Sequence, residues 1–224
     1  RELAVSQTYR MSSRAAKRSS DDADPVVADP ENKLLHRARV KRLEAEIVRD
    51  AMLAVSGRMD EKLFGPSVGV YITPFMDGRG KPQSGPLDGL GRRSIYLQVR
   101  RNFLNPMFQA FDYPTPFTSV GRRSVSNVPQ QALALMNGAL PAELAKNWAH
   151  ATLNDPMLTS TEARIGRLYG TAFARKPSAD ELAAGQAFLL EQQKLYEVAT
   201  SNDLRVWTDY CQVLLNTKDF IFIP

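Results

Sequence analysis

Paired arginines are the feature of this sequence that most clearly suggests a binding site. Residues 88–125 hold six arginines and no lysine, and set against Asp88 and Asp112 they give a local charge of +4. They form three adjacent pairs, at 92–93, 100–101 and 122–123. A guanidinium group presents a rigid fork of donors that fits a carboxylate, sulfate or phosphate, and it tolerates burial better than an ammonium group. The segment therefore predicts either anion binding or internal ion pairs that pin an irregular loop.

The spacing of the arginines limits the kind of anion. Residues 94–99 alternate apolar and polar side chains, which predicts a β-strand with Arg92 and Arg100 on its polar face. Eight residues of strand span roughly 26 Å, so these two side chains cannot grip one small anion. A distributed anionic polymer fits that separation, and so do separate internal ion pairs.

Asp112 is the candidate acid or base among the arginines. In a hydrolase that acts on an anionic polymer it would be the candidate group, and its positive neighbours would keep its carboxylate ionised. Glycosidases pair two carboxyl groups about 5–10 Å apart, and the sequence does not identify a second one. Cys211 stands at a core position of a predicted helix, and neither His36 nor His150 has a partner at a diagnostic spacing. No nucleophile elbow, phosphate loop or dinucleotide fingerprint occurs.

The elements that must position these residues are mainly α-helical. Apolar residues at helical spacing follow Asp29-Pro30 and end at Gly57, which predicts a long helix over residues 30–57. Residues 58–126 are dense in glycine and proline, and they predict an Arg-rich insert with short strands at 68–72 and 94–99. Residues 127–218 are helical again. The predicted fold is one mainly α, bundle-like domain with a small irregular or β insert in its middle.

Three pairs of residues resemble capping boxes, which mark helix starts. Asn127 with Gln130 predicts the start of the first helix after the insert, and Thr159 with Glu162 and Ser178 with Glu181 predict the starts of later ones. Asn127 and Gln130 also stand beside the last arginine pair, so they join the candidate binding residues.

Composition bounds the class of protein. The chain has 224 residues, a net charge of +5 and 43% hydrophobic residues, which is ordinary for a folded globular domain. It has no run of 18 apolar residues that would predict a membrane span, and its single cysteine excludes an internal disulfide framework. The chain does not begin with methionine, and we expect it to be a fragment of a longer protein.

At these same arginines the sequence resembles a known family. The ordered series is Arg92-Arg93-Ser94-Ile95-Tyr96, Val99-Arg100-Arg101-Asn102, Phe111-Asp112-Tyr113-Pro114, Arg122-Arg123-Ser124-Val125 and Val128-Pro129-Gln130-Gln131-Ala132-Leu133. With residues 42–57 and 214–220, it is similar to the planctomycete C-terminal domain of unknown function, family 1553, which accompanies cytochrome-type domains in large proteins. The resemblance covers nearly the whole chain.

The resemblance implies a context for the chain. Family members typically carry a secretory signal and often an upstream haem-attachment motif, which implies a secreted or periplasmic location and upstream domains of the same or an associated protein as partners. This chain has no Cys-x-x-Cys-His motif, so no cofactor is expected in it and haem is expected only in upstream domains. The family is widespread in bacteria that degrade sulfated polysaccharides, which makes an anionic polysaccharide the suggested ligand. No catalytic residue is implied.

These observations give three functional hypotheses. The first is a non-catalytic binding or assembly module of a secreted multidomain protein, which contacts an anionic polysaccharide through its Arg-rich segment. The alternative is a polysaccharide-active hydrolase domain, and nucleic-acid binding, suggested only by the basic pI, ranks third with no such partner expected. The candidate binding residues are Arg92, Arg93, Arg100, Arg101, Asp112, Arg122, Arg123, Asn127 and Gln130. No metal ligand is predicted.

Overall fold

The computed structural model describes residues 2–13, 24–200 and 202–223, and its fold class is mainly α, as the sequence predicts. The helices are α1 (Glu2–Val5), α2 (Pro25–Ala28), α3 (Ala45–Val55), α4 (Pro106–Ala110), α5 (Pro129–Asn137), α6 (Ala139–Leu153), α7 (Thr161–Phe173), α8 (Ala179–Leu195), α9 (Leu204–Leu215) and α10 (Lys218–Ile221). Two short strands, β1 (Lys41–Arg42) and β2 (Phe222–Ile223), pair antiparallel with Lys41 opposite Ile223.

The described residues divide into two compact units. The first comprises those up to Leu43 together with β2, and the second runs from Glu44 to Ile221. The second unit contains every candidate binding residue. That the chain forms one C-terminal-type domain within a longer protein stays a prediction.

Helix α3 is shorter than the sequence predicts. The prediction of a helix over residues 30–57 is wrong for residues 30–44, because helix α3 begins only at Ala45. The carboxylate of Asp29 accepts the backbone N–H groups of Lys33 and Leu34 at 2.8 and 2.7 Å, and Asn32 has a φ of 53°. These interactions turn the backbone where a helix would have continued it.

Residues 58–126 are largely irregular, as their glycine and proline content predicts. The strands predicted at 68–72 and 94–99 are wrong, because the described backbone there forms single bridges and residues Ser94–Tyr96 form a 3-10 turn. The bridges join Asp60 to Arg92 and Val68 to Leu97. The predicted alternation of faces fails with the strand, since Ile95 and Val99 are 79% and 53% exposed.

Helices α6 and α9 form the centre of the second unit, and they pack against each other more extensively than any other pair of elements described. Leu144 and Trp148 of α6, and Trp207, Cys211 and Leu214 of α9, are almost fully buried. The core position that the sequence predicts for Cys211 is therefore confirmed. Helix α3 packs on α4 and α6, and it also contacts the 3-10 turn at residues 94–96, so it connects the irregular segment to the helical core.

Candidate functional site

Arg49 of α3 holds the backbone of the Arg-rich segment. Its side chain is 1% exposed, and its guanidinium donates to the carbonyl oxygens of Asp88 at 2.7 Å and Arg92 at 2.9 Å and to the Ser94 hydroxyl at 3.0 Å. Burial lowers the pKa of Arg49, an effect that the charges of Asp50 and Asp88 oppose. An arginine stays protonated under such conditions, so a buried cation ties residues 88–94 to the helix.

Asp50, the next residue of α3, binds the same turn. Its Oδ1 accepts the backbone N–H and the hydroxyl of Ser94, both at 2.7 Å. Its Oδ2 lies 3.6 Å from Nε of Arg93, whose side chain is 55% exposed. Because α3 engages both the backbone and the hydroxyl of Ser94, the chain turns at this residue and does not continue as the predicted strand.

Arg92 points inward and is 7% exposed. Its Nη2 donates to the carbonyl oxygen of Phe64 at 2.7 Å, its Nε lies 4.0 Å from Oδ2 of Asp60, and its guanidinium lies 4.0 Å from the centre of the Tyr96 ring. The Tyr96 hydroxyl in turn accepts the N–H of Phe64 at 2.8 Å. Arg92 therefore fixes the loop at residues 60–64.

Arg123 forms a bidentate ion pair with α3. Its Nη1 and Nη2 donate to the two carboxylate oxygens of Glu46 at 2.9 and 2.7 Å, and Nη1 also donates to Glu44 at 3.1 Å. Burial is the largest single influence and raises the pKa of Glu46, but the hydrogen bonds and charge of Arg123 and a backbone hydrogen bond together exceed it and leave this pKa below its ordinary value. The guanidinium also lies 5.6 Å from the ring centre of Tyr113.

Arg93 is exposed but lies beside Asp50, and three further candidate arginines, Arg100, Arg101 and Arg122, are exposed too. The Nε and Nη2 groups of Arg100 donate to Oε1 of Gln98 at 3.2 and 2.9 Å, which orients its guanidinium. We call these three residues the exposed arginines. The six arginines thus separate into a set that contacts internal groups (Arg92, Arg93 and Arg123) and the exposed arginines.

Asp112 has a structural task in the described chain. Its Oδ2 accepts the Ser126 N–H at 2.7 Å, and the Ser126 hydroxyl lies 2.9 Å from each carboxylate oxygen. The backbone of Asp112 is left-handed, with a φ of 59°. These bonds join the end of α4 to the segment that leads into α5.

Asn127 and Gln130 do not form the predicted capping box. Helix α5 begins at Pro129 after Val128, without a side-chain hydrogen bond at its cap, and both predicted capping residues are exposed. Pro129 supplies a pre-set φ at the first helical position and needs no partner for a backbone N–H. The cap predicted at Thr159 is wrong by one residue, because Ser160 caps α7 and accepts the N–H of Ala163. The capping box of Ser178 and Glu181 at α8 is confirmed.

The described residues offer few other candidates for metal binding or catalysis. Within residues 2–13, 24–200 and 202–223 no group of three or more His, Cys, Asp or Glu could hold a metal ion. Cys211 lies in the core of α9, and burial raises its pKa. Nδ1 of His36 lies 3.5 Å from Oδ2 of Asp29. No helix in the part of the chain that is described is long and apolar enough to cross a membrane.

Comparison with known proteins identifies the family. The family model PSD1, described as a protein of unknown function (DUF1553), matches residues 1–189. The chain belongs to this family, as the resemblance of its arginine motifs implies. No curated protein and no solved structure matches the chain.

The sequence interpretation missed the α3 residues that hold the Arg-rich segment, namely Glu46, Arg49 and Asp50. One signal for Arg49 is present in the sequence. It stands four residues after Ala45 and three before Met52, which places a basic side chain on the apolar face of an amphipathic helix. A charged residue on such a face is almost never buried without a partner, so this position indicates an internal polar contact.

Proposed function

We propose that the chain is a non-catalytic binding or assembly module of a secreted multidomain protein, and that its exposed arginines bind an anionic, sulfated polysaccharide. The observation that carries the proposal is the separation of the six arginines into two sets. Arg92, Arg93 and Arg123 engage carboxylates, a carbonyl oxygen and an aromatic ring, whereas the exposed arginines face solvent. Contacts with α3 and with its own arginines fix the backbone of this segment. The segment can therefore hold the exposed arginines in defined positions.

Preorganisation supports this assignment. A ligand that contacts an already ordered segment does not have to offset the entropy of ordering a loop. Hydrogen bonds to Gln98 also orient the guanidinium of Arg100 before any ligand arrives. Each guanidinium fork can take one sulfate group, so a polymer that carries many sulfates suits several separate arginines better than a single small anion does.

The hydrolase alternative requires Asp112 to act as an acid or base. Both oxygens of this carboxylate lie within hydrogen-bonding distance of the Ser126 hydroxyl, and one also accepts the Ser126 N–H. An acid or base role would disturb those bonds and loosen the connection that leads into α5. That conflict favours binding over hydrolysis as the proposed activity.

The proposal includes the setting that the family resemblance implies. The module would work in a secreted or periplasmic protein, beside upstream domains of the same or an associated protein. Any haem would belong to those upstream domains.

Binding to dextran sulfate, with uncharged dextran as reference, tests the proposal. The variant Arg100→Gln/Arg101→Gln/Arg122→Gln should bind dextran sulfate about tenfold or more weakly, because exposed ionic contacts contribute about 0.5–1 kcal/mol each. Its affinity should also depend less steeply on salt concentration. The matched control is Lys146→Gln/Arg167→Gln/Lys194→Gln, which removes three exposed positive charges from the helical part.

Three results would contradict the proposal. Failure of the wild-type protein to bind dextran sulfate would exclude a sulfated polysaccharide as its ligand. Equal losses in the two triple variants would show a general charge effect with no site. Release of reducing ends from a sulfated polysaccharide, abolished by Asp112→Asn, would establish the hydrolase in its place.

A further inference from the structure

A small cavity lies beside Arg100 in the Arg-rich segment. Its volume is about 30 Å³, which is room for about two water-sized groups. The apolar side chains that line it are those of Val70, Leu97, Phe103, Leu104 and Phe108. Val99 also lines the cavity and is 53% exposed, so the cavity opens to solvent on that side. An apolar cavity that is open and lies beside polar groups can receive a small substituent of a ligand.

Contacts with two lining residues place Arg100 next to this cavity. Gln98 lines the cavity, and its Oε1 accepts hydrogen bonds from Nε and Nη2 of Arg100 at 3.2 and 2.9 Å. Phe103 also lines it, and its N–H donates to the carbonyl oxygen of Arg100 at 3.0 Å, which closes a turn over residues 100–103. A ligand group in the cavity would therefore lie near a guanidinium that can bind an anion.

Two side-chain amides of the lining have N–H donors to offer. Oε1 of Gln98 is engaged by Arg100, and Oδ1 of Asn105 accepts the N–H of Met107 at 2.9 Å. Because these bonds fix the oxygen of each amide, its NH₂ group is the part that remains for a ligand. In the part of the chain that the structure describes, neither NH₂ group donates to an acceptor. The lining therefore combines an apolar surface with N–H donors.

An acetyl group matches this combination of cavity size, apolar surface and donors. Its methyl group is stabilised by an apolar surface, and its carbonyl oxygen accepts hydrogen bonds from N–H groups. A second sulfate group would fit worse, because an apolar cavity disfavours a charge. We infer that the cavity receives an acetyl group of the polysaccharide while Arg100 binds a neighbouring sulfate group. This inference rests on the proposed function, and it narrows the ligand to polysaccharides that are both sulfated and acetylated.

Dextran sulfate and an O-acetylated dextran sulfate of the same chain length and sulfate content test this inference. The wild-type chain should bind the acetylated polymer about fourfold more tightly, which is the gain expected from burying one methyl group. A competition assay tests acetyl groups linked through nitrogen. N-acetylglucosamine 6-sulfate should displace dextran sulfate at about fourfold lower concentration than glucose 6-sulfate does. A preference in either assay supports the inference, and a preference in only one identifies the linkage of the acetyl group.

Two substitutions test whether the cavity is the origin of the preference. Val99→Phe fills the cavity from an exposed position, and Gln98→Glu keeps an acceptor for Arg100 but replaces the NH₂ donor by an oxygen that repels a carbonyl group. The preference for the acetylated polymer should disappear in both variants. The matched controls are Val213→Phe and Gln109→Glu, at exposed positions outside the lining, and they should keep the preference of the wild type. The preference is a ratio of two affinities, so a general effect of the added charge on both polymers cancels.

Three results would overturn the inference. Equal affinity of the wild type for acetylated and unacetylated ligands in both assays would exclude an acetyl site and leave sulfate binding intact. A preference that survives in both Val99→Phe and Gln98→Glu would place the acetyl group outside the cavity. If the wild type binds neither polymer, the proposed function fails, and this inference fails with it.

Discussion

Replacing Arg49 by methionine would remove the side chain that ties residues 88–94 to α3. Methionine is unbranched and of comparable length, so the core of α3 keeps most of its packing while the charge and the donors are lost. Carbonyl oxygens of Asp88 and Arg92 and the hydroxyl of Ser94 would then lack donors that now lie 2.7–3.0 Å away.

The size of the effect follows from these contacts. A hydrogen bond that involves a charged group contributes about 1.5–3 kcal/mol, so three of them set an upper limit of about 9 kcal/mol. Removing a buried cation also removes its desolvation cost, and the loop can relax towards water. We therefore expect Arg49→Met to lower the free energy of unfolding by about 3–5 kcal/mol, the range seen when one partner of a buried polar pair is removed. Arg49→Lys retains the charge but cannot reach three acceptors, and it should lose about 2 kcal/mol.

Urea unfolding followed by tryptophan fluorescence measures this loss. Trp148 and Trp207 are 3% and 0% exposed and lie in α6 and α9, so they report on the unit that contains α3. Hydrogen exchange supplies a local reading, since the amide of Asp60, which donates to Gly91, and the amide of Arg92, which donates to Gly89, should lose protection.

Arg167→Met is the matched control, because Arg167 is exposed on α7 and the substitution should change stability by no more than about 0.5 kcal/mol. A loss of under about 1 kcal/mol for Arg49→Met, with an unchanged denaturant dependence, would refute the reasoning. So would full protection of the Asp60 and Arg92 amides in that variant.

Two further predictions concern the helical part. A hydrogen bond from Arg175 lowers the pKa of Glu181 to about 2 in the folded protein, so Glu181→Gln, which can still form the capping box, should cost about 1 kcal/mol at pH 7 after solvent screening. Because the folded pKa is the lower one, this difference should shrink as pH falls from 4.5 towards 2 in urea titrations, and a difference that persists at pH 2 would contradict it. A β-carbon at Gly185 would collide with the Tyr210 hydroxyl, so Gly185→Ala should lower stability by about 1–3 kcal/mol. In Gly166→Ala the new methyl group meets nothing within 4 Å, and this variant should gain about 0.5–1 kcal/mol; equal effects on the two thermal midpoints would show that the contact is absent.

The fold class was predictable because the last hundred residues carry strong local signals. Periodic apolar positions and the Ser178–Glu181 capping box act within a few residues of each other, and those elements are confirmed. Local signals failed where a side chain redirected the backbone. Asp29 turns the chain where a helix was predicted, and Asp50 turns it at Ser94 where a strand was predicted.

The candidate site was predictable only as a choice between two roles. The arginine pairs indicated either anion binding or internal pinning, and both kinds of environment occur within the same segment. Which arginine has which role depends on partners that are distant in sequence. Arg123 meets Glu46 across 77 residues, and Arg49 reaches the Asp88 carbonyl across 39. No spacing rule connects such positions, because the packing of α3 brings them together.

Arg49 holds the segment mainly by backbone carbonyl groups, which every residue type supplies. Replacing the exposed side chains at positions 93 and 95 therefore need not weaken the hydrogen bonds from Arg49 to the backbone. The hydrogen bonds that hold the backbone do not depend on the exposed side chains. The exposed side chains can therefore diverge under selection while the path of the loop stays constant. In that respect the segment resembles an antibody loop, in which an invariant framework supports interchangeable contact residues. The same property offers protein engineers a place to graft new recognition without redesigning the helices beneath.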